Sequence, residues 1–181
     1  FPIGAPDRTR KHLYRAGELE FDADVKDAVS QARGITHLEA ETIVNAMSVD
    51  ELRERSIDLM REFAGAWATL QADYPEINIP DPTAVILSGG GIQVHAHVKP
   101  GEGYAQDGGV DLVQAVNREF AKKLNEIAGR DMIDLSTTDA GTRILRPPGT
   151  VHTKNAKRPI PVVLDGEIHL ENQVSARALA L

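Results

Sequence analysis

The run Leu19-Glu20-Phe21-Asp22-Ala23-Asp24 alternates apolar and acidic side chains without a break. A period of two is that of a β-strand, whose successive side chains leave opposite faces in turn. Leu19, Phe21 and Ala23 therefore share one face, and Glu20, Asp22 and Asp24 the other. Asp22 and Asp24 project about 7 Å apart along the strand. Like charges so placed repel, and a cation between them relieves that cost. Hard carboxylate oxygens suit Mg²⁺ or Mn²⁺, which keep waters and take phosphate oxygens as further ligands. Acidic pairs also occur as plain solvated surface, so the pair acquires meaning only from partners elsewhere in the chain.

The 181 residues suffice for one domain with a substantial core. A net charge of −7 argues against a surface that grips nucleic acid throughout. Any such contact is expected to be local, or to be supplied by parts outside this sequence. The absence of cysteine excludes disulfides, cysteine-based zinc sites and cysteine nucleophiles. No apolar run reaches the length of a membrane span and no signal peptide is visible, so an intracellular location is expected. The sequence starts at Phe1, and residues 1–181 are expected to be one domain of a longer protein.

Residues 1–17 read as a loop leading into the first strand. A short helix is expected from Leu38 to Met47. Ser48-Val49-Asp50-Glu51 fits a capping box, and Leu52, Leu59, Met60, Phe63, Trp67 and Leu70 follow at helical spacing up to Tyr74-Pro75. Thr83 to Leu87 and Ile92 to Val98 read as strands joined by Gly89-Gly90-Gly91. A glycine-rich loop follows, and then an amphipathic helix from Val110 to Ala128 that ends at Gly129. Further strands are expected over Arg143–Leu145, Ile160–Leu164 and Ile168–Leu170, the last two joined by an Asp165-Gly166 hairpin turn. Long helices between strands predict an α+β fold, with helices packed on a mainly antiparallel sheet.

Two further constellations bear on chemistry. In Ser88-Gly89-Gly90-Gly91-Ile92-Gln93-Val94-His95-Ala96-His97, the glycines leave backbone N–H groups open to a phosphate, and Ser88 adds a donor. Gln93, His95 and His97 share one strand face, which is either solvated or a site. The third constellation runs from Ile133-Asp134 through Arg143, Arg146, Pro148-Gly149-Thr150, His152 and Lys154 to Arg158, the most basic stretch of an acidic chain. Arg146 can fork onto phosphate oxygens, and Lys154 offers a point charge.

In this order, the three segments resemble the three motifs of the archaeo-eukaryotic primase superfamily, which includes the primase-polymerases of phages and plasmids. The first motif is an apolar strand ending in Asp-x-Asp, matched by Phe21-Asp22-Ala23-Asp24. The second is a Ser-Gly-rich turn leading to a strand with a nucleotide-contacting histidine. The third is an apolar-Asp, matched by Ile133-Asp134, with a basic residue about twelve positions on at Arg146 and then Pro148-Gly149-Thr150-Val151-His152-Thr153-Lys154. The resemblance spans residues 19 to about 163.

It implies an RNA-recognition-motif-like sheet with flanking helices, and a nucleotidyltransferase that joins nucleotides to a 3′-hydroxyl on a single-stranded DNA template. Asp22, Asp24 and Asp134 would be the catalytic carboxylates holding two Mg²⁺ or Mn²⁺ ions. Ser88, Gly90, Arg146, His152 and Lys154 would hold the nucleoside triphosphate. The second motif departs from the pattern. A direct match puts Gln93 in the histidine's place, while His95 lies two residues later on the same face and carries the charge; both stay open. The zinc element of some relatives is missing, as a chain without cysteine requires. A helicase or DNA-binding domain, in the same or another chain, would supply template affinity.

Two other readings stand beside this one. His95-Ala96-His97 resembles the histidine pair of HUH endonucleases, which nick DNA with one metal and a tyrosine; Tyr104 would be the nucleophile. That reading leaves Asp22, Asp24 and the Arg146-to-Lys154 stretch without a role. An inert nucleic-acid-binding relative is the other, and it has no use for a triad of aspartates.

Overall fold

The alternating run folds as expected into β1 (Glu18–Asp24), with Leu19, Phe21 and Ala23 buried and the acidic positions half-buried. The computed structural model describes residues 16–137, 147–152 and 160–180. β1 pairs antiparallel with β3 (Gly91–Val98), and β3 pairs antiparallel with β2 (Ala84–Leu87). Two short strands complete this sheet. β6 (Val163–Asp165) joins the free side of β2, and β7 (Gln173–Val174) runs parallel to the end of β3. The sheet order is β1-β3-β2-β6. A separate two-stranded ribbon is formed by β4 (Val151–His152) and β5 (Ile160–Pro161). The architecture is α+β, a mostly antiparallel sheet with flanking helices.

The helices follow β1 and β3. α1 (Val25–Arg33) and α2 (His37–Ala46) lead into the long α3 (Val49–Asp73), and α4 (Gly109–Ala128) follows β3. A short α5 (Ala176–Leu179) ends the described chain. α3 begins as the capping box requires: the Glu51 N–H donates to Ser48 Oγ at 3.1 Å, and the Ser48 N–H donates to Glu51 Oε2 at 2.7 Å. Gly129 caps α4 with a φ of 67°, a left-handed conformation that glycine adopts without strain.

The apolar face of β1 meets both long helices. Phe21 lies 5.8 Å from Phe63 and 5.9 Å from Trp67, ring centroid to centroid, and Trp67 lies 6.0 Å from Phe120. One ring from β1, two from α3 and one from α4 thus form a continuous aromatic cluster under the sheet. The opposite face of β1 and β3 is left to the acidic residues, Gln93 and the histidines.

Three expectations need correction or limits. α1 is a helix that the sequence reading did not foresee. Ile168–Leu170 is not a strand, and Asp165-Gly166 does not open a hairpin. The segment is instead tied by its backbone to Thr83: the His169 N–H donates to the Thr83 carbonyl at 2.8 Å, and Thr83 Oγ1 donates to the Asn172 carbonyl at 2.8 Å. Ile168 and Leu170 stay exposed, so their apolar spacing buries nothing. The strand expected over Arg143–Leu145 lies outside the described residues.

The capping box gives a first expected result. In α3, the hydrogen bonds from Ser48, backbone first and then side chain, hold the Glu51 carboxyl below the usual glutamate range. A depressed folded value means that its stabilisation is present above the ordinary value of 4.5 and is lost as pH falls through the lowered one. An NMR titration of Glu51 should therefore show a midpoint below the ordinary one. Ser48→Ala should move it part of the way back and cost about 1 kcal/mol of stability.

Candidate functional site

The register of β1 on β3 assembles the polar face. Asp22 stands opposite Gln93, Glu20 opposite His95, Glu18 opposite His97 and Asp24 opposite Gly91. Directly opposed residues share a face, so the first two constellations of the sequence lie side by side. Gln93 and His95 are 5% and 7% exposed, although both are polar. Asp24 is also the residue before α1, where the unpaired N–H groups of the first turn favour negative charge.

Asp134 is brought to this edge by α4. Two buried asparagines on that helix clamp backbone on either side of the site. Asn117 Oδ1 accepts from the Glu20 N–H at 3.0 Å, and its Nδ2 donates to the Glu20 carbonyl at 3.2 Å. These bonds satisfy part of the outer edge of β1, which no other strand covers among the described residues. Asn125 does the same for Ile133: its Oδ1 accepts from the Ile133 N–H at 2.7 Å and its Nδ2 donates to the Ile133 carbonyl at 2.9 Å. Met132 and Ile133 are buried as anchors. The next N–H, that of Asp134, donates to the Asp22 carbonyl at 3.2 Å. The third aspartate thus joins the strand that carries the first two.

The side chains are less tightly drawn together than the backbones. Asp134 is exposed, and its two carboxylate oxygens accept from the Ser136 N–H and Ser136 Oγ, each at 2.8 Å. Asp22, Asp24 and Asp134 do not form a group whose ligating atoms all lie within 4.8 Å. Asp22, Asp24 and Asp134 still lie on neighbouring backbone, and carboxylate oxygens are the donor type that suits hard divalent cations such as Mg²⁺ or Mn²⁺.

Asn125 therefore acts as a positioning residue. Truncation to alanine leaves a buried N–H and C=O of Ile133 unpaired, at about 2 kcal/mol or more. Asn125→Ala should lower the thermal midpoint, and NMR should report its largest shift changes around Asp134 and Asp22.

The glycine turn sits at the other side of Asp24. The Ser88 N–H donates to the Gly91 carbonyl at 2.9 Å and closes a two-residue turn. Gly89 has a φ of 85°, as the first central position of a type II′ hairpin requires. The Gly90 carbonyl accepts from the Val25 N–H at 2.9 Å, tying the turn to the start of α1. A Cβ at Gly90 would lie 3.6 Å from Asp24 Oδ1, and one at Gly89 would lie 2.9 Å from the Cβ of His152. Asp24, the glycine turn and His152 are thus contiguous. Ser88 itself is buried. Of the basic segment, His152 is placed here, while Arg146 and Lys154 lie outside the described residues.

Near the start of β1 lies an arrangement that the sequence reading missed. Glu18 bridges two histidines: Oε2 lies 2.9 Å from His95 Nδ1, and Oε1 lies 2.9 Å from His97 Nε2. Its carboxyl is held below the usual range, first by the His95 hydrogen bond, with burial opposing and the charges of both histidines assisting. Glu18, Glu20 and His95 could hold a metal ion, since one ligating atom from each lies within 4.8 Å of the others. Extending the β1 alternation back by one more acidic residue was the available signal. The pairing itself spans 77 positions, which periodicity does not reveal.

Tyr104 does not lie on a long helix. It precedes a single 3₁₀ turn, and its carbonyl accepts from the Asp107 and Gly109 N–H groups at 3.1 and 2.9 Å. No protein-family model, no curated protein and no solved structure matches this chain, so the geometry itself carries the functional reading.

Proposed function

We propose that this chain is the catalytic domain of a template-dependent nucleotidyltransferase of the primase-polymerase kind, built on an RNA-recognition-motif-like sheet. The observation that carries the reading is the Asp134 N–H bond to the Asp22 carbonyl. It sets the aspartate of the third segment beside the Asp22-x-Asp24 strand, with the glycine turn and His152 next to Asp24.

The reaction is attack of a 3′-hydroxyl on the α-phosphate of a nucleoside triphosphate, with pyrophosphate leaving. Asp22, Asp24 and Asp134 are the residues to hold two Mg²⁺ or Mn²⁺ ions. When bound, such ions activate the hydroxyl and offset charge on the leaving oxygen. The chain's own groups supply the rest. Amides of the Gly89-Gly90 turn and the His152 ring face the triphosphate, with Arg146 and Lys154 assigned to its β- and γ-phosphates from sequence resemblance. Fixed donors aimed at developing charge favour the transition state over the ground state. Register supports Gln93 in the second-motif position, because Gln93 and not His95 stands opposite Asp22. Gln93 Oε1 is buried without a hydrogen-bond partner among the described residues, an unmet acceptor on that face. Single-stranded DNA is the proposed template, held through its backbone without sequence readout. The acidic net charge leaves room for a helicase or DNA-binding domain that supplies template affinity.

Purified protein given primed and unprimed single-stranded template, Mn²⁺ or Mg²⁺ and labelled nucleotides tests the reading. Extension or new primers that survive Tyr104→Phe are expected. A covalent DNA adduct at Tyr104 would favour the nicking enzyme instead.

A further inference from the structure

Glu18, Glu20 and His95 are not used by the proposed reaction. His95 is 7% exposed, and its Nδ1 is fixed against the Glu18 carboxylate at 2.9 Å. Its Nε2 is buried and finds no hydrogen-bond partner among the described residues. A buried ring nitrogen with nothing to bond is costly and calls for an explanation. Metal-ligating histidines are typically held in this way, with one ring nitrogen oriented by a carboxylate and the other presented to the ion. Glu20 is the cross-strand partner of His95, so their approach is fixed by the β1–β3 ladder and not by a mobile loop. His97 in turn holds the second oxygen of Glu18 at 2.9 Å.

We propose a second cation site on the polar sheet face, with Glu20 and His95 Nε2 as ligands and Glu18 orienting the ring through Nδ1, that takes a borderline divalent ion of the Zn²⁺ or Co²⁺ class. The ligand chemistry selects the class. Imidazole nitrogen beside carboxylate suits zinc and its transition-metal neighbours, whereas Mg²⁺ prefers oxygen alone and retains its waters. The remaining coordination positions are left to water or an exogenous group. The ion would tie β1 to β3 at the end opposite Asp24, and so fix the strand that carries the aspartates. The site goes beyond the nucleotidyltransferase reading and stands whether or not that reading holds.

The test uses Co²⁺ as a visible probe and Zn²⁺ as the competitor, with Asp22→Ala as the background to remove binding at the aspartates. One equivalent of Co²⁺ should bind with ligand-field absorption typical of nitrogen and oxygen donors, and Zn²⁺ should displace it. Zn²⁺ should also shift the imidazole ¹⁵N signals of His95 and raise the thermal midpoint. Adding Glu20→Gln, which preserves shape, should weaken Co²⁺ binding at least tenfold, and His95→Ala should abolish the absorption. If His95→Ala fails to fold, Glu20→Gln and the His95 signals decide the matter. Absence of Co²⁺ binding by the folded background protein, or binding indifferent to Glu20→Gln with unmoved His95 signals, would overturn the proposal.

Discussion

Asp22→Asn is expected to lower nucleotide incorporation by on the order of 10³-fold, with the thermal midpoint changed by only a few degrees. The substitution keeps the shape of the side chain and removes its charge. Asp22 is half-buried and its backbone carbonyl still accepts from the Asp134 N–H, so the local frame survives. On the proposed function, what is lost is a negative ligand in a site that gathers positive charge around a triphosphate. Loss of one fixed group that stabilises transition-state charge commonly costs 10²- to 10³-fold, and a metal-holding carboxylate belongs at the upper end of about that range. The fall should appear in kcat with either Mg²⁺ or Mn²⁺. A steady-state comparison at matched circular dichroism checks it, and a variant within about tenfold of the parent would remove Asp22 from the catalytic set.

Phe21→Ala is expected to be the most destabilising single truncation near the site. Phe21 is 2% exposed, and its ring contacts both Phe63 and Trp67 on α3. Removing a buried phenyl ring costs the transfer free energy of the ring plus that of the cavity left behind, about 4 kcal/mol. At this chain length that is a fall of roughly 12 °C in thermal midpoint. Phe21 sits between Glu20 and Asp22 and pairs with Val94, so the loss also loosens the register that sets Asp22 against Gln93. Denaturant unfolding measures the first effect. Activity per folded molecule, measured well below the new midpoint, measures the second.

The elements that the sequence made legible are those with strong local signals. β1 carries an unbroken period of two, α3 starts at a capping box, and α4 ends at Gly129 in the left-handed conformation. α1 escaped notice because it is nine residues long, is built around small side chains and has no side-chain cap. Ile168–Leu170 misled for the opposite reason. Apolar residues two apart imitate a strand, but here the neighbouring backbone bonds belong to Thr83.

For the site, residue types and order were legible, while their mutual placement was not. Asp22 and Asp134 meet through a backbone bond whose geometry depends on Asn125, a residue that looks like an ordinary polar position on a helix. A match along the sequence puts Gln93 in the histidine's place, and the strand register adds that Gln93 stands opposite Asp22. Glu18 acquired its two histidines in the same way.

The central claim is that Asp22, Asp24 and Asp134 form one nucleotidyl-transfer site. Its most direct test is single-nucleotide incorporation on a primed template, repeated with each of the four template bases. The parent protein and folded Asp22→Asn and Asp134→Asn variants would be compared, with pyrophosphate measured alongside product. The parent is expected to add the complementary nucleotide with one pyrophosphate per addition, and both variants to lose addition and pyrophosphate together. Template-independent addition, full activity in either variant, or no incorporation by folded parent protein with Mg²⁺ or Mn²⁺ would contradict the claim.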